Sequence, residues 1–285
     1  MWFMLPAVLL FLLLGVYPTV RAVWTSLTRF NLTDPDGRGF VGILHYYRLI
    51  TDDRFWSALG RSALFVFSSV ALSFVLGFWI ATLLARITRL RTLFQMVLII
   101  PMVVSPTVVA YNFRFMYNYS FGILNHILES IGFGRVDFLG NTMTALWSTV
   151  AIDIWQWTPL VILIMSAGIE TLPKELYEAA SVDGAGATAT FFRLTVPLLR
   201  PFIVIAVLIR VMDAMKVYET IHLVTAGGPG TASETLNLYL ARVGFSWFDM
   251  GYGSALGLVA LNVTALFAMV IVRYTGVFRT AGARS

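Results

Sequence analysis

Ser62-Ala-Leu-Phe-Val-Phe-Ser-Ser-Val-Ala-Leu-Ser-Phe-Val-Leu-Gly-Phe-Trp-Ile-Ala-Thr-Leu-Leu-Ala85 is an apolar run long enough to cross the roughly 30 Å of bilayer hydrocarbon, which takes about 20 helical residues. It is one of six. The others lie at Leu5 to Val23, Thr92 to Met116, Met143 to Gly168, Phe202 to Val224 and Tyr252 to Val272. None shows the strict alternation that a transmembrane barrel requires. The sequence therefore predicts an all-α integral membrane protein of six transmembrane helices, with residues 1–285 as one transmembrane domain. Composition points the same way: 58% of the 285 residues are hydrophobic and 12% charged, against roughly 45–50% and about 25% in soluble domains. Mean hydropathy is +0.80. No fixed-period repeat, low-complexity segment or interdomain linker interrupts the chain.

Several classes of chemistry fall away at this stage. The chain has no cysteine, which removes disulfides, thiolate metal sites and cysteine nucleophiles. Its three histidines, His45, His126 and His222, are far apart in sequence and carry neither metal spacing nor a nucleophile motif, so a membrane enzyme is a weak reading. The pI of about 9.6 comes without a basic stripe interleaved with aromatics, and a nucleic-acid partner is not expected. The first run has no positive residue before it and no small-residue cleavage pattern near Tyr17 to Val20, so it reads as an uncleaved anchor rather than a signal peptide.

Six spans put both termini on one side. The segments sharing that side, Arg86 to Arg91, Ile169 to Arg200 and Arg273 to Ser285, hold nine Lys/Arg against eight in the opposite loops. The bare count is close to even. Density separates them: three arginines fall between Arg86 and Arg91, and the tail has three arginines and no acid, the charges near span ends that orient a chain most strongly. Both termini are expected in the cytoplasm of a bacterial cell, with the chain multi-pass in its plasma membrane. On the outer side, His45 to Gly60 mixes Tyr46, Tyr47, Phe55 and Trp56 with charged residues, and reads either as a short interfacial amphipathic helix or as an ordered loop cap.

Between spans four and five, residues 169–200 form a loop too long for a simple connection. It contains Leu172-Pro-Lys-Glu-Leu-Tyr-Glu-Ala-Ala-Ser-Val-Asp-Gly-Ala-Gly-Ala-Thr-Ala-Thr-Phe-Phe-Arg-Leu-Thr-Val-Pro197. Pro173 suits a helix start, Lys174 to Ala180 are good helix formers, and Gly184 and Gly186 allow a turn before a second helical piece. This spacing resembles the permease subunits of ABC importers, whose signature is Glu-Ala-Ala, three residues, Gly, nine residues, then Ile-x-Leu-Pro. Here it runs Glu178-Ala179-Ala180, Gly184, then Leu194-Thr-Val-Pro197. The resemblance implies a coupling helix that docks on a cytoplasmic ATPase through Glu178, Ala179, Ala180, Asp183, Gly184 and Pro197. Small alanines would allow close approach, and Glu178 would meet a basic group.

Further stretches, Leu223-Val-Thr-Ala-Gly-Gly-Pro229, Ser233-Glu-Thr-Leu236 and Gly251-Tyr-Gly-Ser-Ala-Leu256, are similar to the carbohydrate-uptake group, relatives of the maltose permease subunits. Phe40-Val-Gly42, Asp53 to Leu59 and Gly122-Ile-Leu-Asn125 extend the likeness along nearly the whole chain. Departures are His45 where an asparagine is expected and Tyr218-Glu219 for Phe-Asp; sugar phosphates and polyols are also carried by the group. The resemblance implies a second related permease, two ATPase subunits and an extracytoplasmic solute-binding protein as partners, with alternating access as the mechanism. No Gly-x-x-x-x-Gly-Lys-Ser/Thr cradle is present, so no cofactor is expected on this chain and ATP is left to the partners. An ion channel or secondary transporter is the alternative class.

Charges at membrane depth survive when paired or when lining a wet path. Arg210, Asp213, Lys216 and Glu219 recur every three residues in span five, and Arg210 and Asp213 can neutralise one another. Counted back from Gly-Gly-Pro229, the positions that face sugar in the maltose permease fall on Arg210, Asp213, Ala214 and Val217, one face of a continuous helix. Span four adds Asp153, Trp155, Gln156 and Trp157, and span three ends in Tyr111-Asn112-Phe-Arg114. Acids, amides and flat rings are what sugar hydroxyls and C–H faces favour. Trp157 and Asn112 join the candidate path, although aromatics near span ends also serve as interfacial anchors and a span carboxylate also serves to pair with a neighbouring subunit.

Overall fold

The computed structural model describes residues 4–87 and 89–275. Thr88 of the 86–91 turn and the tail arginines Arg279 and Arg284, which enter the orientation reading, lie outside the described residues. Among the described residues four helices are long and apolar enough to cross a membrane: α1 (Leu5–Ser26), α3 (Asp53–Leu84), α7 (Thr144–Glu170) and α13 (Met250–Thr275). Two bent pairs complete the six spans: α4 (Arg91–Val103) with α5 (Pro106–Met116), and α9 (Ala187–Leu198) with α10 (Arg200–Ala214). Shorter helices are α2 (Leu44–Ile50), α6 (Ile123–Ser130), α8 (Lys174–Val182), α11 (Glu219–Val224) and α12 (Leu236–Ala241).

Proline explains most of the irregular turns. Its ring clashes with the carbonyl four residues back and its nitrogen donates nothing. Accordingly a wide π-helical stretch, Leu12–Val16, comes just ahead of Pro18, and another, Phe191–Thr195, just ahead of Pro197. Span three, read as continuous over Thr92 to Met116, is instead bent by 89°. Val104 and Ser105 are extended there, because a residue preceding proline is pushed out of the α region. Span five bends by 68° at its start, beside Pro197 and Pro201.

The chain divides into two compact units. The first holds the residues up to Ser62 together with Glu234–Leu266. Its core includes Leu49, Phe55, Leu236, Val243, Tyr252 and Leu256. A two-stranded antiparallel hairpin, β1 (Thr28–Asn31) and β2 (Asp34–Phe40), pairs Thr28 with Phe40. Its turn is set by Asn31, whose side-chain oxygen accepts the Thr33 amide at 2.8 Å. Of the two readings of His45 to Gly60, a short helix or a loop cap, neither spans the segment: α2 ends at Ile50 and α3 begins at Asp53. Asp52 makes the break, accepting the backbone N–H of Arg54 at 2.9 Å and of Phe55 at 3.3 Å as a helix cap.

The second unit holds Ala63–Ser233 and the residues from Phe267 on. Its cores include one around Phe78, Val161, Met165 and Leu199 and one around Val109, Tyr117, Ile152 and Val224. Glycine sets its helix spacing. A Cβ at Gly77 would stand 2.7 Å from Cβ of Val161, and one at Gly168 would stand 2.7 Å from Cγ of Phe202, so the backbones approach as small residues allow.

Candidate functional site

The 169–200 loop folds as helix, turn, helix. Pro173 sits in extended conformation immediately before α8. At the other end the N–H of Ala185 bonds the carbonyl of Ala180 at 2.9 Å and that of Gly184 bonds Ser181 at 3.2 Å, the paired closure of a Schellman cap. Gly184 takes φ +73 with open space where a Cβ would lie. Its requirement is therefore conformational. Glu178, Ala179, Asp183 and Gly184 are exposed, Ala180 is half-buried, and Val182 stands 86% exposed. One side of α8 is held to the body. The Tyr177 and Thr195 hydroxyls bond at 3.0 Å, and Leu172 packs on the Phe78 core. Pro197 is exposed in α9, downstream of the wide turns.

Two of the four charged residues of span five, Arg210 and Asp213, belong to a node inside the second unit. Arg210, on α10, is fully buried. Its Nη2 donates to Asp153 of α7 at 2.5 Å and to the Ser69 hydroxyl of α3 at 3.0 Å, while Nη1 donates to Asp213 at 3.1 Å. The Ser69 hydroxyl in turn donates to Asp153, and the guanidinium lies 5.8 Å from the centre of the Trp157 ring. Three helices meet on one cation. The expected Arg210–Asp213 neutralisation is present, and Asp153 finds its partner within the chain.

The single face expected over Arg210, Asp213, Ala214 and Val217 does not form. Helix α10 ends at Ala214, and the turn tightens, Lys216 N–H bonding Asp213 at 2.9 Å and Val217 N–H bonding Ala214 at 3.2 Å. Val217 thus leaves the helix, and α11 starts only at Glu219. Exposure also sorts the set: Arg210 and Ala214 are buried, while the Asp213 side chain is 42% exposed. Trp157 is half-buried and Asn112 exposed, the latter donating to the Val108 carbonyl at 2.8 Å. Gln156 is buried and donates to the Val104 carbonyl at 3.1 Å, satisfying a group freed by the α4–α5 break. Trp155 meets Phe113 edge-on, ring centres 5.3 Å apart, and Arg114 bonds the Leu223 carbonyl at 3.1 Å.

A second ionic node lies in the first unit, and sequence reading missed it. Glu234, of the Ser-Glu-Thr-Leu stretch, is fully buried. It accepts Arg54 through Nε and Nη2 at 2.8 Å each, and Arg242 as well. Burial pushes its carboxyl up, but the two guanidinium partners outweigh that and hold it below the usual range. Asp52 follows the same pattern: burial opposes ionisation, and hydrogen bonds from the Tyr239 and Tyr252 hydroxyls, each 2.5 Å, with the Arg54 and Phe55 amides, more than offset it. Tyr239 is pushed up to about 12, first by burial and then by its bond to Asp52. Sequence offered the acid of Glu234 with Arg242 eight residues on, but Arg54, 180 residues back, could not be connected by spacing. Among the described residues no cluster of His, Asp or Glu could hold a metal ion.

Comparison with known proteins adds a family. Residues 73–281 match the family described as "Binding-protein-dependent transport system inner membrane component". The chain is 34% identical to the "Trehalose/maltose transport system permease protein MalF" of Thermococcus litoralis, covering 96% of this chain and 92% of that protein. It is 32% identical to the "Sulfoquinovosyl glycerol transport system permease protein SmoG" of Agrobacterium fabrum, covering 93% and 88%. In fold it is similar to a chain of the bacterial alginate ABC transporter solved in complex with an alginate pentasaccharide-bound periplasmic protein. The TM-score there is 0.80 at 23% identity, covering 96% of this chain and 91% of that chain.

Proposed function

Because the chain belongs to the family of binding-protein-dependent transport system inner membrane components, we propose that it is the permease subunit of an ATP-driven importer that carries a sugar, an oligosaccharide or related carbohydrate, into the cell. The chain is a multi-pass inner-membrane transport subunit and not an enzyme. The names of the relatives, trehalose/maltose, sulfoquinovosyl glycerol and, in Halalkalibacterium halodurans, arabinooligosaccharides, support the glycosidic solute. The partners are a second homologous permease, two cytoplasmic ATPases that bind the ATP, and an extracytoplasmic solute-binding protein; the chain itself brings no cofactor. Both termini face the cytoplasm.

The observation that carries this reading is the exposed, Schellman-capped α8, bearing Glu178, Ala179, Ala180, Asp183 and Gly184 outside the helical body. Docked on an ATPase, it passes closure of the nucleotide sites through the Tyr177–Thr195 contact into α9, Pro197 and α10. The solute path runs past Asp213, Ala214, Val217, Trp157 and Asn112. Arg210, fully buried, acts there by holding the Asp213 carboxylate. Alternating access moves the spans around that path. In the complete complex reconstituted with its binding protein, Glu178→Arg abolishes uptake while the subunit still inserts and folds. Normal ATP-coupled uptake by that variant overturns the assignment.

A further inference from the structure

A cleft of about 620 Å³ opens where several spans of the second unit end, a volume within the range of about 300–1,000 Å³ typical of small-molecule sites. Its wall combines the ends of α3 and α7, the start of α4, and parts of α8 and α9. Three cations line it, Arg86, Arg91 and Lys174, against one carboxylate, Glu170, leaving an excess of positive charge. Arg91 pairs with Glu170 through Nη2 at 2.5 Å, and its Nε is buried with no hydrogen-bond partner. Thr82, Thr190 and Tyr177 add hydroxyls, and Ile169, Leu172 and Phe191 add an apolar wall.

We propose that this cleft binds the phosphate headgroup of an anionic phospholipid, with the upper acyl chain against the apolar wall. Three features select that occupant: excess cationic charge, a buried guanidinium donor awaiting an acceptor, and a position at the ends of membrane spans, where headgroups lie. Lys174 and Tyr177 belong to α8, so an occupied cleft ties the lipid to the exposed loop helix. The inference rests on the membrane-spanning fold, and its readout needs neither a transported solute nor an ATPase.

The test titrates the full chain, purified in a non-ionic detergent, with dioctanoyl phosphatidylglycerol, and reads bound lipid by native mass spectrometry. A saturable one-to-one adduct is expected. Arg86→Gln and Arg91→Gln each weaken it about fivefold, the effect of one cation near an anionic headgroup. Glu170→Gln removes the opposing charge and tightens binding, while Arg200→Gln, outside the cleft, leaves it unchanged. Should Arg91→Gln misfold, the opposite shifts of Arg86→Gln and Glu170→Gln still carry the test. Equal binding of dioctanoyl phosphatidylcholine, insensitivity to the Arg86 and Glu170 changes, or displacement by inorganic phosphate at matching concentration overturns the proposal.

Discussion

Arg210 is one cation facing two carboxylates and a serine hydroxyl, and of these Asp213 is the exposed one. Removing the shared cation strands the buried Asp153 carboxylate in a low dielectric, which costs about 3–5 kcal/mol. Arg210→Met is therefore expected to lower stability by that amount, and Arg210→Met combined with Asp153→Ala to recover most of it, as measured by denaturant unfolding in mixed micelles. Additive losses in the double variant would show that the pair is not coupled. Sequence gave each of these residues as a charge needing an explanation, but Asp153 and Arg210 are 57 positions apart, and spacing connects residues only within one helix. The ionic node of the first unit responds to pH. The folded values of Asp52 and Glu234 lie below the ordinary carboxylate range, so both stabilise the fold at neutral pH, fully above about pH 5, and that contribution is lost as pH falls through their folded values. Tyr239 is raised to about 12; its contribution is present below about pH 10 and fades as pH rises toward 12. Unfolding midpoints followed across this range should form a plateau between the two limits, and Asp52→Asn should flatten the acid side.

At the scale of elements, the loop helix α8 depends on one glycine. Its terminal carbonyls are closed by the amides of Gly184 and Ala185, and that closure needs φ +73 at Gly184. An L-residue in this region costs about 1–2 kcal/mol, and asparagine tolerates it better than alanine. Gly184→Ala should thus speed amide exchange in α8 about five- to thirtyfold, with Gly184→Asn between it and the wild type and the spans unaffected. Uniform exchange across all three proteins would remove the cap from the account. Helix α8 was legible because Pro173, the helix formers after it and Gly184 all point to one local structure. The hairpin at Thr28–Phe40 was not, since its strands are short and its pairing is irregular between Arg29 and Asn31. The break in span three was hidden by hydropathy, which runs unbroken across Val104 while the backbone does not; in span five the charges at Asp213, Lys216 and Glu219 were read as faces of one helix, although α10 ends at Ala214.

For the whole molecule, orientation rests on arginine density near span ends, and the absence of native cysteine makes it directly measurable. Single cysteines at Asp36, in the hairpin, and at Glu175, in α8, should react with a membrane-impermeant maleimide from opposite sides of intact cells, Asp36→Cys from outside and Glu175→Cys only after the membrane is opened. Labelling of both from one side would refute the six-span topology, and the swapped pattern would reverse its orientation. The count of spans was legible because each run meets the bilayer length on its own. How the runs pair was not, because the contacts that settle it join residues far apart in the chain.

The Asp52 carboxylate has two phenol partners that lie 187 and 200 residues further along the chain. Synthesis at about 5–20 residues per second places their arrival roughly ten to forty seconds after Asp52 itself leaves the ribosome. For that interval the segment that carries Asp52 is made but unfinished. Release of a truncated chain before Tyr239 would leave its acid without either phenol, so the hydrogen bonds of Asp52 close only once the chain has been made past Tyr252.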